Sequence, residues 1–230
     1  MIVVRLAGVS KAYGALRPLR IEHLEISDTD RVAILGFDRP SAEMFVNLVT
    51  GATLADSGEV AVFGRPTAAI ADSAEWLSTV DRFGILSPRV VLLEGMTAIQ
   101  NLAVPFTLDI EPPPDEMRAR AEALAREAGL AERDWNVPIA ELTPVARGRV
   151  KLARSVALDP AVLLVEHASA DIDRSDVKAF GRTIRDLAAG RGAAGIALTG
   201  DAEFARAVAD RVLRLDAATG RVSAHRRWLG

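Results

Sequence analysis

Two short stretches hold the residue types that could do chemistry. The first is Gly36-Phe37-Asp38-Arg39-Pro40-Ser41-Ala42-Glu43-Met44, which follows the apolar run Arg31 to Leu35. It leads into a helical pattern that places Met44, Phe45, Leu48 and Val49 on one face, with Gly51 as the stop. Strand, glycine-led loop and helix form the skeleton of a phosphate-binding unit, because the free N–H groups of a helix N-terminus face an anion. The same skeleton occurs throughout α/β proteins, so it does not by itself define a site. The second stretch is Glu166-His167, which closes the aliphatic run Val162 to Val165. A histidine can act as a base near neutral pH; it can equally be a neutral side chain bonded to a neighbouring backbone group. Other chemistries have little to stand on. With no cysteine there are no thiolate metal sites and no thiol nucleophile, and His23, His167 and His225 lack metal-ligand spacing.

The elements that must position these residues belong to a chain of 230 residues, half of them apolar and about a quarter charged, with a net charge of −3. That length buries a core, and the balance excludes a disordered tail or a disulfide-stapled module. Mild acidity argues against nucleic acid as a partner. The cations are lopsided: 25 arginines against Lys11, Lys151 and Lys178, with no lysine between residues 12 and 150. Apolar runs stay far below the roughly 18–20 residues of a membrane helix. The N-terminus enters strand alternation without a leader, which predicts a cytoplasmic protein.

Ile2 to Leu6 and Leu19 to Ile26 read as strands, broken by Tyr13-Gly14 and Pro18. Gly58 to Gly64 is a further strand, residues 68 to 82 a helix, and Phe83 to Leu86 a short strand. Ala98 to Phe106 reads as a helix, Asp109 to Asp115 as a stiff proline-rich connector, and an amphipathic helix follows with Met117, Ala121, Leu124 and Ala128 on one face. From Val145 onward helices alternate with the strands Val162 to Glu166, Gly195 to Thr199 and Val212 to Asp216, which implies a largely parallel sheet covered on both faces. The tail Arg221 to Gly230 reads as a solvated strand end; contact of Arg226, Arg227 and Trp228 with anionic lipid is the other reading.

Taken together, these segments resemble the nucleotide-binding domain of ABC transporters over essentially the whole chain. Val9 to Gly14 looks like the opening strand, with Tyr13 where the family stacks an aromatic ring on adenine. Gly36 to Met44 falls at the Walker A loop, and Asp56 to Pro66 matches the strand after its helix. Leu92 to Phe106 resembles the start of the helical subdomain, most closely that of exporters handling lipids and lipoproteins. Glu141 to Asp173 aligns without a gap onto the signature helix, Walker B strand and D-loop, and Leu198 to Phe204 falls at the H-loop. The resemblance implies an α/β, P-loop NTPase-like ABC ATPase fold. It has a mostly parallel core sheet, an N-terminal antiparallel β part and a helical insertion. Residues 1–86 and 146–230 would form the core and 87–145 the helical subdomain.

The positions that touch phosphate, water and Mg²⁺ in the family are the ones that depart from it. In a P-loop, glycines let backbone N–H groups face the phosphates, a lysine neutralises them and a hydroxyl holds Mg²⁺. Here Gly36 remains, Arg39 and Ser41 replace the later glycines, Ala42 stands at the lysine and Glu43 at the hydroxyl, while Pro40 has no N–H to give. Arg39 is the candidate replacement cation. Glu166 stands at the Walker B aspartate, able to hold a metal through water, and His167 at the catalytic glutamate. The switch histidine is Gly200, the Q-loop glutamine falls on Ser87 or Pro88, and the signature reads Leu142-Thr143-Pro144-Val145-Ala146.

The resemblance therefore implies ATP and Mg²⁺ as ligands, and the departures lead to an expectation of weak or absent binding. The nucleotide would contact Tyr13 and the loop Gly36 to Met44. The implied partners are a transmembrane permease, engaged through the helical region, and a second nucleotide-binding subunit in a homodimer or heterodimer. This places the chain at the inner face of a membrane. Alternatives are an atypical ATPase using Arg39, Glu166 and His167, and a non-enzymatic regulatory or scaffold protein on the same fold.

Overall fold

The computed structural model describes residues 1–224. His225 and the Arg226, Arg227 and Trp228 tail lie outside the described residues. Strands β1 (Ile2–Lys11) and β2 (Leu19–Ser27) pair antiparallel, and β4 (Ser57–Val62) and the two-residue β5 (Arg65–Pro66) extend them into a four-stranded sheet. The second sheet has six strands, formed by β3 (Arg31–Leu35), β6 (Phe83–Leu86), β7 (Val162–Glu166), β8 (Ala194–Thr199), β9 (Arg211–Asp216) and β10 (Arg221–Ala224). Their spatial order is β10-β9-β3-β8-β7-β6, parallel throughout except for the β9–β10 edge pair.

The apolar runs of the central strands are explained by burial on both faces. Val32, Ile34, Val162, Leu164, Ile196 and Leu198 point to one side, into a core shared with α1 (Arg39–Val49) and the antiparallel sheet. Ala33, Leu35, Leu163, Val165 and Ala197 point to the other side, into a core shared with α5 (Pro144–Ser155), α6 (Arg174–Gly190) and α7 (Ala202–Val208). The period-2 geometry of a strand divides these alternate residues between two separate cores. The helical stretch between β6 and α5 contributes α3 (Ala98–Ala103) and α4 (Asp115–Glu127). Its Ile99, Leu102, Leu124, Trp135 and Ile139 are buried in the same core as α5 and α6, so this stretch closes one side of the sheet instead of building a core of its own.

Several boundaries differ from the sequence reading for local reasons. Helix α1 starts at Arg39, ahead of Ser41, because Asp38 caps it. The helix expected over residues 68 to 82 is confined to α2 (Ser73–Val80), capped by the Asp72 side chain on the Glu75 N–H, after a separate 3₁₀ turn at Thr67–Ala69. The Ala98 to Phe106 helix stops at Ala103. Among the described residues no helix is long and apolar enough to cross a membrane.

Candidate functional site

The loops after β3 and β7 open at the carboxyl ends of parallel strands, the edge where open α/β sheets place ligands. The β3 loop runs Gly36-Phe37-Asp38 into α1. Gly36 has φ +103, and a Cβ there would drive into the Leu215 carbonyl of β9. Its retention is thus explained by strand packing alone. Phe37 turns inward, 3% exposed, and meets Phe45 edge-to-face at 5.6 Å between ring centroids. Ala42 is fully buried in the same core, and Met44 packs at its margin.

The N-terminus of α1 is occupied by the chain itself. Asp38 Oδ1 accepts the Ser41 N–H at 2.9 Å and the Ser41 hydroxyl, while the Asp38 N–H donates to Ser41 Oγ at 3.0 Å. This reciprocal capping box takes up the Asp38 and Ser41 N–H donors, and Pro40 at the second position of the helix has none. The Ser41 hydroxyl and N–H hold the Asp38 pKa below its ordinary value. A fixed negative charge therefore sits where a helix N-terminus would receive an anion.

Across the opening lies a second internal ion. Arg89, in the linker after β6, forms an ion pair with Glu43 at 2.8 Å through one guanidinium nitrogen and donates from the other to Glu166 at 2.7 Å. Glu166 is buried at the end of β7, whereas Glu43 is open to solvent on the first turns of α1. Arg39, the cation expected from the sequence, is exposed and makes no side-chain hydrogen bond or ion pair among the described residues. Arg89 was missed because its partners are distant in the chain, one of them 77 residues away. The signal available was indirect: two carboxylates replacing a hydroxyl and an aspartate call for a balancing cation.

The remaining predicted residues surround this pair. His167 sits directly after β7 in the left-handed region, φ 44, a conformation that costs a non-glycine residue about 1–3 kcal/mol and persists where the surroundings impose it. Its N–H donates to the Leu198 carbonyl at 3.0 Å and its own carbonyl accepts from Ala170 N–H at 3.0 Å. The side-chain Nε2 is buried without a hydrogen-bond partner. Tyr13 packs against the α1 core with its hydroxyl beside Ser41 and Asp38, and burial raises its pKa. Gly200 follows β8, next to Asp201. Burial raises the Asp201 pKa, but the Arg174 guanidinium at 2.5 Å, two backbone N–H groups and Ser169 lower it further than burial raises it. The loop after β7 is thereby tied to the loop after β8. Thr143 caps α5 through the Ala146 N–H at 3.3 Å, with Pro144 as the first helical residue. A cavity of about 660 Å³ lies between the β6–α3 linker, α5 and the His167 loop, with Arg89, Lys151, His167 and Phe180 in its wall.

These residues do not fit a Mg²⁺–triphosphate held in a phosphate loop. Asp38 puts a carboxylate at the α1 N-terminus, and the Arg89 guanidinium lies between Glu43 and Glu166. Among the described residues no three His, Asp or Glu side chains gather where they could hold a metal ion.

The two-sheet architecture with a helical insertion is that of an ABC ATPase cassette. The chain superposes on the ATP-binding cassette MJ0796, a dimeric structure of a post-hydrolysis state bound to ADP and Pi, with a TM-score of 0.76 and 22% identity over 99% of both chains. It superposes on cbiO1 of Clostridium perfringens, part of the ABC transporter complex cbiONQ, with a TM-score of 0.79 and 18% identity, covering 96% of this chain and 87% of that one. In sequence the chain is a homologue of ABC transporter ATP-binding proteins. It is 28% identical over 215 residues to the methionine import ATP-binding protein MetN of Rhizobium etli, covering 94% of this chain and 59% of that protein. It is 31% identical over 220 residues to the sulfate/thiosulfate import ATP-binding protein CysA of Bordetella parapertussis, covering 93% of this chain and 59% of that protein. The chain thus spans less than two thirds of the length of the curated relatives it matches. Both relatives are named for import, whereas the sequence reading of Leu92 to Phe106 carries an expectation of exporters. No family model matches the chain.

Proposed function

We propose that the chain is the nucleotide-binding-domain subunit of an ABC transporter that couples to a membrane permease without an ordinary Mg²⁺–ATP hydrolysis cycle. The single observation carrying this reading is the pair of internal ions: Asp38 at the α1 N-terminus and Arg89 between Glu43 and Glu166. A triphosphate entering here meets like charge from Asp38 and Glu43 and must displace two sets of existing bonds. Residues 1–86 and 146–230 act as the cassette core, and residues 87–145 form the helical region that engages the permease on the inner face of the membrane. The second nucleotide-binding subunit is another copy or a competent partner. The named import proteins among the relatives support the transporter assignment.

Titration calorimetry with MgATP and MgADP on the purified chain tests this. No saturable heat up to millimolar nucleotide is the expected result. Micromolar MgATP binding, with Mg²⁺-dependent hydrolysis lost on His167→Ala or Glu166→Ala, would establish the atypical ATPase instead.

A further inference from the structure

The segment that leaves β6 is held by two cationic side chains of α5. Lys151 Nζ donates to the Pro88 carbonyl at 2.9 Å, and Arg154 donates to the Val91 carbonyl at 2.9 Å, both from α5. Between these two anchors, Arg89 reaches the opposite way, to Glu43 on α1 and Glu166 on β7. Its guanidinium is the charged group joining three elements that the backbone does not connect: the linker into the helical stretch, the first turns of α1, and the end of the central strand β7.

Glu166 is the critical partner. Its side chain is 4% exposed, and taking a carboxylate out of water is costly unless a cation pairs with it. Glu43 brings a second negative charge to the same guanidinium. Two carboxylates sharing one guanidinium at the carboxyl edge of a parallel sheet are each held ionised more easily with that positive charge beside them. Chains that hold a metal nucleotide at this edge take that charge from the metal.

We propose that Arg89 is a resident stand-in for a divalent cation: its single positive charge bridges Glu43 and Glu166 and so locks the 87–92 linker, and the helical stretch beyond it, against the core without any ligand. Arg89 is a positioning residue here, with no chemistry of its own. This deepens the functional reading above, on which it rests, by naming what fills the cation seat and what the filling does to the fold.

Arg89→Ala leaves Glu166 buried and unpaired, so the test is built around rescue by Mn²⁺ alone, read by thermal unfolding. The wild-type melting temperature is expected to move by no more than about 1 °C in millimolar Mn²⁺, and that of R89A to rise by several degrees, because only the variant has a cation seat to fill. R89A that does not fold in metal-free buffer is expected to fold when Mn²⁺ is present. The double variant Arg89→Ala/Glu166→Gln removes the buried charge and is expected to fold without Mn²⁺ and to ignore it. Amide hydrogen exchange over residues 87–97 is expected to accelerate in the double variant relative to wild type, since the tie to the linker is gone in both variants. The proposal is overturned if wild type responds to Mn²⁺ as R89A does, if R89A is unaffected by Mn²⁺ in stability or folding, if the double variant keeps the response, or if its linker exchanges as slowly as wild type. Nucleotide titration of the wild-type chain decides the functional reading separately; the Mn²⁺ response of the variants decides this one.

Discussion

Asp38 shows how a single side chain can start a helix and set its charge at the N-terminus. Its carboxylate takes the Ser41 hydroxyl and N–H, which lowers its pKa and starts α1 two residues earlier than the apolar pattern suggests. Removing an N-cap costs about 1 kcal/mol, so Asp38→Ala lowers the melting temperature measurably, whereas Asp38→Asn keeps a capping oxygen and most of the stability. The sign of the pH effect follows from the lowered pKa. The ionised form is favoured in the fold, so this stabilisation is complete above the unfolded aspartate pKa of about 3.9 and is lost as pH falls through the lower folded value. Comparing acid unfolding of wild type and Asp38→Asn checks this: the variant has the shallower pH dependence below that point. An identical acid limb in both proteins would contradict the role given to the Asp38 charge.

At the level of elements, the sheet sets distances that tolerate little. Gly84 on β6 lies so close to α5 that an added Cβ meets the Ser155 carbonyl and, at 2.8 Å, the Pro160 ring. Neither neighbour is the free end of a flexible side chain, so Gly84→Ala forces β6 and α5 apart at a cost of about 1–3 kcal/mol. Chemical denaturation gives that difference directly, and a variant as stable as wild type would show that the approach is looser than described. The consequence reaches the site, because α5 carries Lys151 and Arg154 and β6 leads into the linker bearing Arg89. The periodic elements were the most legible in the sequence. The runs Arg31 to Leu35, Val162 to Glu166 and Ala194 to Thr199 are apolar because both faces are covered, and a doubly covered strand has no other pattern available. Helix α2 was read too long because the capping potential of Asp72, within a weakly periodic stretch, outweighs the pattern around it.

For the whole molecule, the internal ion pairs predict indifference to nucleotide. A ligand bound only to the folded state at a hundred times its Kd adds about 2.7 kcal/mol of stability. On the proposed function, millimolar MgATP leaves both the melting temperature and the solution mass of the isolated chain unchanged; a rise of several degrees, or an ATP-dependent doubling of mass by light scattering, would refute it. By itself the sequence determined the class of fold, the order of its elements, and which residue types stand at the loop and strand ends, since each of these depends on local pattern and spacing. It also carried the short-range Asp38–Ser41 relation, legible only once the helix start is known. The tertiary structure alone decided which cation serves the site. Arg39 is the nearer to Glu43 in sequence but faces solvent, while Arg89 is brought in by the turn after β6 to meet Glu43 and Glu166. An ion pair depends on distance in space, and folding brings together charges that the chain holds far apart.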